Sequence, residues 1–284
     1  MTQPSGLSGP PPSGRAGDLG MRVLSAAVLA PVVLGAVWFG GWAFVMLAAL
    51  ASAILVSEWS GISRSRYVDA AAVIGGAAAA VAVIGFASGF VLAAFLVLGA
   101  GAGLAQAKAR GDGPASALWL GVLYGGLPGI ALVALRSDPD FGLVAVIWLL
   151  VLVWATDIGG YVFGRLIGGP KLAPRLSPKK TWAGFIGGLA AAIGASWLFF
   201  QVAAYGIAAP IWLAALLSIA SQLGDLGESA FKRRYDVKDS SRLIPGHGGL
   251  MDRIDGLVVV AVLAAALGIL RSGPDAAGAG VLVW

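Results

Sequence analysis

The sequence predicts an all-α, polytopic integral membrane protein of about nine transmembrane helices. Three observations predict it. Of the 284 residues, 58% are hydrophobic and only 12% are charged, and mean hydropathy is +0.88; soluble domains carry about 25% charged residues. Apolar runs long enough to cross a bilayer recur from Val23 to the C-terminus, without the ten-residue alternation of an outer-membrane barrel. Lys and Arg fall into alternate connections between these runs, as the positive-inside rule requires.

Met1–Gly20 is rich in Pro, Gly and Ser and reads as a disordered tail, residues 1–20. Residues 21–140 form an N-terminal membrane region, with spans near Val23–Phe39, Trp42–Trp59, Ala70–Phe86, Phe90–Ala107 and Ala115–Leu135. The first two are short and joined by Gly40-Gly41, which suits a tight hairpin. Residues 141–284 carry spans near Phe141–Phe163, Thr181–Tyr205, Ile207–Glu228 and Ile254–Leu270, with two polar loops, 164–180 and 229–253. With the N-terminus in the cytoplasm, every Lys and Arg except Arg136 and Arg271 lies on the cytoplasmic side. Both polar loops then face the cytoplasm from the cell's inner membrane, and Asp138 and Asp140 fall in an external loop.

There is no cysteine and one histidine, His247. Thiol nucleophiles and thiolate or multi-histidine metal sites are excluded, so a catalytic metal would be held by oxygen, as Mg²⁺ is. The charge is concentrated in the second half. Asp252 and Asp255 are three apart at the start of the last span, so on a helix they share a face. Asp225 and Glu228 have the same spacing at the end of the preceding span. Two helix ends carrying carboxylates at one depth suit a metal. A charge inside an apolar run is costly and marks function, which favours a functional role for Asp225. Glu228, nearer the loop, is as well explained by pairing with a local base.

Around them stand Lys232, Arg233, Arg234, Lys238, Arg242 and Arg253. One or two of the basic run are plain membrane anchors; Lys238, Asp239 and Arg242 lie further into the loop, where phosphate binding is the better use. Pro245-Gly246-His247-Gly248-Gly249 would let backbone N–H groups approach an anion, with His247 positioned to donate to a phosphate or move a proton. Upstream, Asp157 lies within a span and needs a partner or a water-filled cavity. Gly159-Gly160 thins the helix where something must approach. Ser177-Pro178-Lys179-Lys180-Thr181 reads as a loop end and helix start able to hold phosphate oxygens, or equally as a turn, a cap and an anchor.

The run Ser229-Ala230-Phe231-Lys232-Arg233, Lys238-Asp239, Pro245-Gly246-His247-Gly248-Gly249 and Asp252-Arg253-Ile254-Asp255 resembles the C-terminal signature of phosphatidate cytidylyltransferases, the CDP-diacylglycerol synthases. Asp157, Gly160-Tyr161, Lys171-Leu172-Ala173-Pro174 and Ser177 to Trp182 resemble the same family's upstream segment. The resemblance is close from about Trp154 to Gly256 and general elsewhere. It implies a nucleotidyltransferase that moves a cytidylyl group from CTP to phosphatidic acid, with Mg²⁺ as cofactor, a second cation left open, a homodimeric assembly and no nucleic-acid partner. On that reading Asp225, Asp252 and Asp255 hold the metal, and Lys232 and His247 join them in catalysis. Asp157, Ser177, Lys179, Lys180, Thr181, Arg233, Lys238, Asp239, Gly248 and Gly249 contact substrate. Two rivals fit less well. In a CDP-alcohol phosphotransferase, Asp255-Gly256 would open a motif that Leu257-Val258 does not continue. A transporter site would lie near the midplane rather than at one face.

Overall fold

A computed structural model describes residues 15–109, 117–203 and 210–284. Ten helices follow in order: α1 Arg15–Phe39, α2 Gly41–Arg64, α3 Ala70–Ala87, α4 Val91–Lys108, α5 Leu118–Arg136, α6 Gly142–Leu166, α7 Trp182–Ala203, α8 Ile211–Arg234, α9 Met251–Ser272 and α10 Ala277–Leu282. The protein is an all-α membrane protein, with one departure. The 164–180 loop contains a two-stranded antiparallel hairpin, β1 Lys171–Ala173 and β2 Ser177–Thr181. The tail expected over residues 1–20 lies outside the described residues up to residue 14, and from Arg15 the chain is already helical.

Among the described residues seven helices, α2 to α7 and α9, are long and apolar enough to cross a membrane. The expected first and eighth spans fall short of that measure. The apolar part of α1 is Val23–Phe39, the bounds expected, and α8 spends its last three turns on Asp225, Glu228, Lys232, Arg233 and Arg234. The segment Ser229–Arg234, expected in a loop, continues α8 as helix.

Small residues set the helix spacing. A Cβ on Gly184 would stand 2.7 Å from the carbonyl oxygen of Gly160, and one on Gly188 2.7 Å from that of Thr156. What approaches Gly159-Gly160 is therefore helix α7, in the small-residue packing common in membranes. Trp148 is fully buried at this α6–α7 contact, and its Nε1–H donates to Ser196 Oγ at 2.9 Å. A second apolar knot joins the two halves: Trp59 of α2 stacks on Phe231 of α8, centroids 3.9 Å apart, and leans on Tyr124 of α5.

The connections gather at two ends. At one, Tyr67 after α2 donates to the Ser240 carbonyl at 3.0 Å, and Lys180 of β2 pairs with Asp225 of α8. At the other, Arg136 donates to the carbonyls of Val37 and Trp38 at 2.7 and 3.0 Å. Asp138 there is no bystander: it is 3% exposed, accepts from the amides of Asp140 and Phe141, and takes the Ala279 amide at 2.8 Å.

Candidate active site

The site is built where α8 ends and α9 begins. Asp225, Glu228 and Lys232 follow at helical spacing along one face of α8. Helix α9 is broken at Ile254, whose φ of −128° and ψ of 15° are not helical. The break lies between Asp252 and Asp255, so the two carboxylates, expected on one face, part company. Asp255 turns toward α8, where one carboxylate oxygen each from Asp225, Glu228 and Asp255 lie within 4.8 Å of one another. Asp252 reaches both α8 and the loop. Its Oδ1 accepts from Lys232 Nζ at 2.6 Å, and its Oδ2 from the amides of Ser240 and Gly249, both at 2.9 Å. Glu228, outside the expected trio, joins Asp225 and Asp255 in this group, and Asp252 adjoins it through Lys232.

Lys232 is likewise committed within the protein. Its Nζ lies 2.7 Å from Glu228 Oε1 as well as 2.6 Å from Asp252. A half-buried ammonium between two carboxylates holds α8 to α9.

The glycine-rich segment is a tight turn, not an open anion cradle. Pro245 and Gly246, with φ of +76° at the glycine, occupy the central positions of a turn of type II character. The Ile244 carbonyl accepts from His247 and Gly248, at 2.9 and 3.1 Å, and the Ile244 amide donates to Gly248 at 2.8 Å. With the Gly249 amide given to Asp252, the amides of residues 247–249 are used internally. His247 Nδ1 lies 2.7 Å from Ser25 Oγ, which also donates to the Pro245 carbonyl at 3.1 Å. That histidine nitrogen ties the turn to α1.

Glu58 of α2 was not among the expected site residues. It is 2% exposed and accepts from Ser241 Oγ at 2.6 Å, Met251 N at 2.7 Å, Leu250 N at 2.8 Å and Ser240 Oγ at 3.1 Å. A carboxylate within an apolar run is the signal that could have found it, the same one that marks Asp157. Gly249 is required there by close approach: a Cβ would stand 1.9 Å from Ser240 Oγ and 2.5 Å from Glu58 Oε1.

Beside the carboxylates opens a cavity of about 720 Å³ between α6, the hairpin, α7 and α8. That is within the ~300–1,000 Å³ of typical ligand pockets. Asp157, Ser177, Lys179, Lys180, Thr181 and Asp225 line it, together with Arg165 and Lys171. Asp225 thus belongs to both the cavity and the carboxylate group, and its ion pair with Lys180 joins them. Ser177–Thr181 was expected at a helix start; it is strand β2, and α7 begins at Trp182. Only Thr181 acts as a cap, accepting from the Gly184 amide at 3.0 Å. The hairpin instead extends the lysines along the cavity wall. Arg233, Lys238, Asp239, Gly248 and Gly249 do not line it. Arg233, Lys238 and Asp239 are exposed, and Arg233 donates to the Val237 carbonyl at 3.2 Å.

An apolar helix bundle with a basic, carboxylate-bearing cavity at one end defines a membrane-embedded enzyme that handles phosphate. The chain belongs to the cytidylyltransferase family, whose model matches residues 20–270, and it is a nucleotidyltransferase. It is 39% identical over 263 residues to the phosphatidate cytidylyltransferase of Brucella suis, covering 91% of this chain and 96% of that protein. It is 40% identical over 143 residues to the phosphatidate cytidylyltransferase of Bacillus subtilis, about half of each chain. That of Haemophilus influenzae is 48% identical over 126 residues, 42% of this chain and 44% of that one.

Proposed function

We propose that the cavity between α6, the β1–β2 hairpin and α8 is where the reaction takes place. The reaction is transfer of a cytidylyl group from CTP to phosphatidic acid, giving CDP-diacylglycerol and pyrophosphate. A phosphate oxygen of phosphatidic acid attacks the α-phosphorus of CTP. The new P–O bond forms as the bond to the bridging oxygen breaks, and pyrophosphate carries away the electron pair. Phosphatidic acid is itself the nucleophile, so no covalent enzyme intermediate is required.

One observation carries this reading: three converging carboxylates adjoin a cavity whose wall is lined by Arg165, Lys171, Lys179 and Lys180. The basic side chains orient the phosphates and offset the charge that accumulates as pyrophosphate leaves. The oxygen-only donor set of Asp225, Glu228 and Asp255 fits a hard divalent cation, which we assign as Mg²⁺. When bound, the ion supplies charge neutralisation at phosphate oxygens. Lys180 balances Asp225, and Lys232 balances Glu228, so the carboxylates can gather without excess repulsion.

The alternation of basic connections supports placing this end at the cytoplasmic face of the cell's inner membrane, where CTP is available. On the strength of the family resemblance, the working unit is a homodimer. The deciding experiment is incorporation of radiolabelled CTP into lipid by purified protein supplied with phosphatidic acid. Activity that is lost with a chelator, restored by Mg²⁺, and abolished in Asp255→Asn is expected. Full turnover by a well-expressed Asp255→Asn protein would overturn the carboxylate assignment.

A further inference from the structure

We propose that Glu58, near the C-terminal end of α2, is a positioning residue for the transferase site. It sets the start of α9 and, through it, the place of Asp255. The proposal rests on the reading that Asp225, Glu228 and Asp255 hold the cation.

Glu58 grips the 240–251 segment at both ends. Ser240 and Ser241 donate to it where the segment begins, and the amides of Leu250 and Met251 donate where it closes. One side chain therefore closes a loop whose free ends would otherwise cost entropy to bring together. Among the described residues no cation lies within ion-pair distance of it. A carboxylate this buried is tolerated because Ser241 and the amides of Leu250 and Met251 donate to it, with the Ser240 hydroxyl shared between it and Asp252. Two of those donors are backbone amides at the N-terminus of α9, where negative charge is also favoured by the helix dipole.

The grip continues toward the carboxylates. Ser240, held by Glu58, gives its amide to Asp252 at 2.9 Å, and Asp252 takes Lys232 at 2.6 Å. Lys232 in turn lies 2.7 Å from Glu228. An unbroken run of contacts thus leads from the second helix to the carboxylate group. Asp255 follows Met251 by four residues, just past the kink at Ile254. A kink interrupts the hydrogen-bond ladder, so the first turn of α9, with Asp252, is placed by its contacts to Glu58 and Ser240, and Asp255 directly adjoins that turn.

The test uses the full chain, purified in detergent. It contains no cysteine, so Leu243→Cys, at an exposed position of the gripped segment, can carry a single spin label. Three variants are compared: Glu58→Gln, which turns one acceptor oxygen into a donor; Glu58→Asp, which keeps the charge and shortens the reach; and Ser241→Ala, which removes one donor at the rim. Glu58→Gln is expected to speed the label's motion, lower kcat about tenfold or more, and raise the Mg²⁺ concentration for half-maximal activity about fivefold. KM for CTP stays within about twofold. Glu58→Asp and Ser241→Ala shift the same quantities in the same directions by less, and they decide the matter if Glu58→Gln does not accumulate in membranes. Unchanged label motion, or faster motion with an unchanged Mg²⁺ requirement, overturns the positioning role. Failure of the cation assignment is recognised separately, by an active Asp255→Asn protein, because label motion reports the grip of Glu58 without any turnover.

Discussion

Lys232 of α8 donates to Asp252 of α9 at 2.6 Å. This bond ties the start of α9 to the end of α8. Lys232 and Asp252 are both largely buried, with side chains 13% and 7% exposed. Removing one partner of a buried pair typically costs about 3–5 kcal/mol. Asp252→Asn is therefore expected to lower thermal stability clearly. By contrast, Asp255→Asn removes a charge from a group of like charges and should melt at or above the temperature of the unaltered chain. Melting curves of the two purified variants check this contrast.

For turnover, Asp225→Asn, Glu228→Gln and Asp255→Asn should each reduce CTP incorporation by about a hundredfold or more. The Glu228 variant is the discriminating one. Were it to turn over normally while Asp252→Asn with restored stability did not, the trio would have to be redrawn around Asp252.

Gly249→Ala should abolish activity and destabilise the protein, since a Cβ there would meet Ser240 Oγ at 1.9 Å and Glu58 Oε1 at 2.5 Å. Gly103→Ala, with nothing within 4 Å of its added Cβ, is the matched control and should leave both stability and turnover unchanged.

At the opposite end, Asp138 and Asp140 are predicted to differ although they are near neighbours in one short connection. Asp138→Asn loses charge-assisted bonds to the amides of Phe141 and Ala279 and should cost about 1–3 kcal/mol. Asp140→Asn, exposed, should be neutral. Cysteine labelling in the cysteine-free chain would place residues 66, 179 and 243 on one side of the membrane and 140 and 284 on the other.

Asp69, in the connection before α3, gives the stability of this end a dependence on pH. It caps α3 through the Ala72 amide at 2.9 Å and receives Arg64 at 2.5 and 3.1 Å. The Arg64 hydrogen bonds hold its carboxyl below the usual aspartate range. A lowered value means the stabilisation is present above the unfolded pKa of about 3.9 and is lost as pH falls through the folded one. Melting temperature should fall below about pH 4, and Asp69→Asn should flatten that part of the profile.

Much of this protein was legible without coordinates. Apolar run length fixes helices because a bilayer leaves no other partner for backbone amides. The alternating bases order the connections because positive charge is retained on one side. The two bases outside that alternation, Arg136 and Arg271, cap carbonyls at helix C-termini, Arg136 at Val37 and Trp38 and Arg271 at Gly280 and Val283. Residue type alone pointed to Asp225, Asp252, Asp255 and the lysines of the 177–181 segment, since oxygen donors beside cations suit phosphate chemistry.

Only the tertiary structure decided which carboxylates meet. Helical spacing places Asp252 and Asp255 together, and the break at Ile254 separates them, because a single non-helical residue rotates everything beyond it. Nor does spacing reveal that Glu58, some two hundred residues away in the chain, closes the loop between α8 and α9. Local sequence governs periodicity and charge; the pairing of one buried acid with four distant donors is set by where the helices pack, and only the fold brings those atoms within hydrogen-bonding reach.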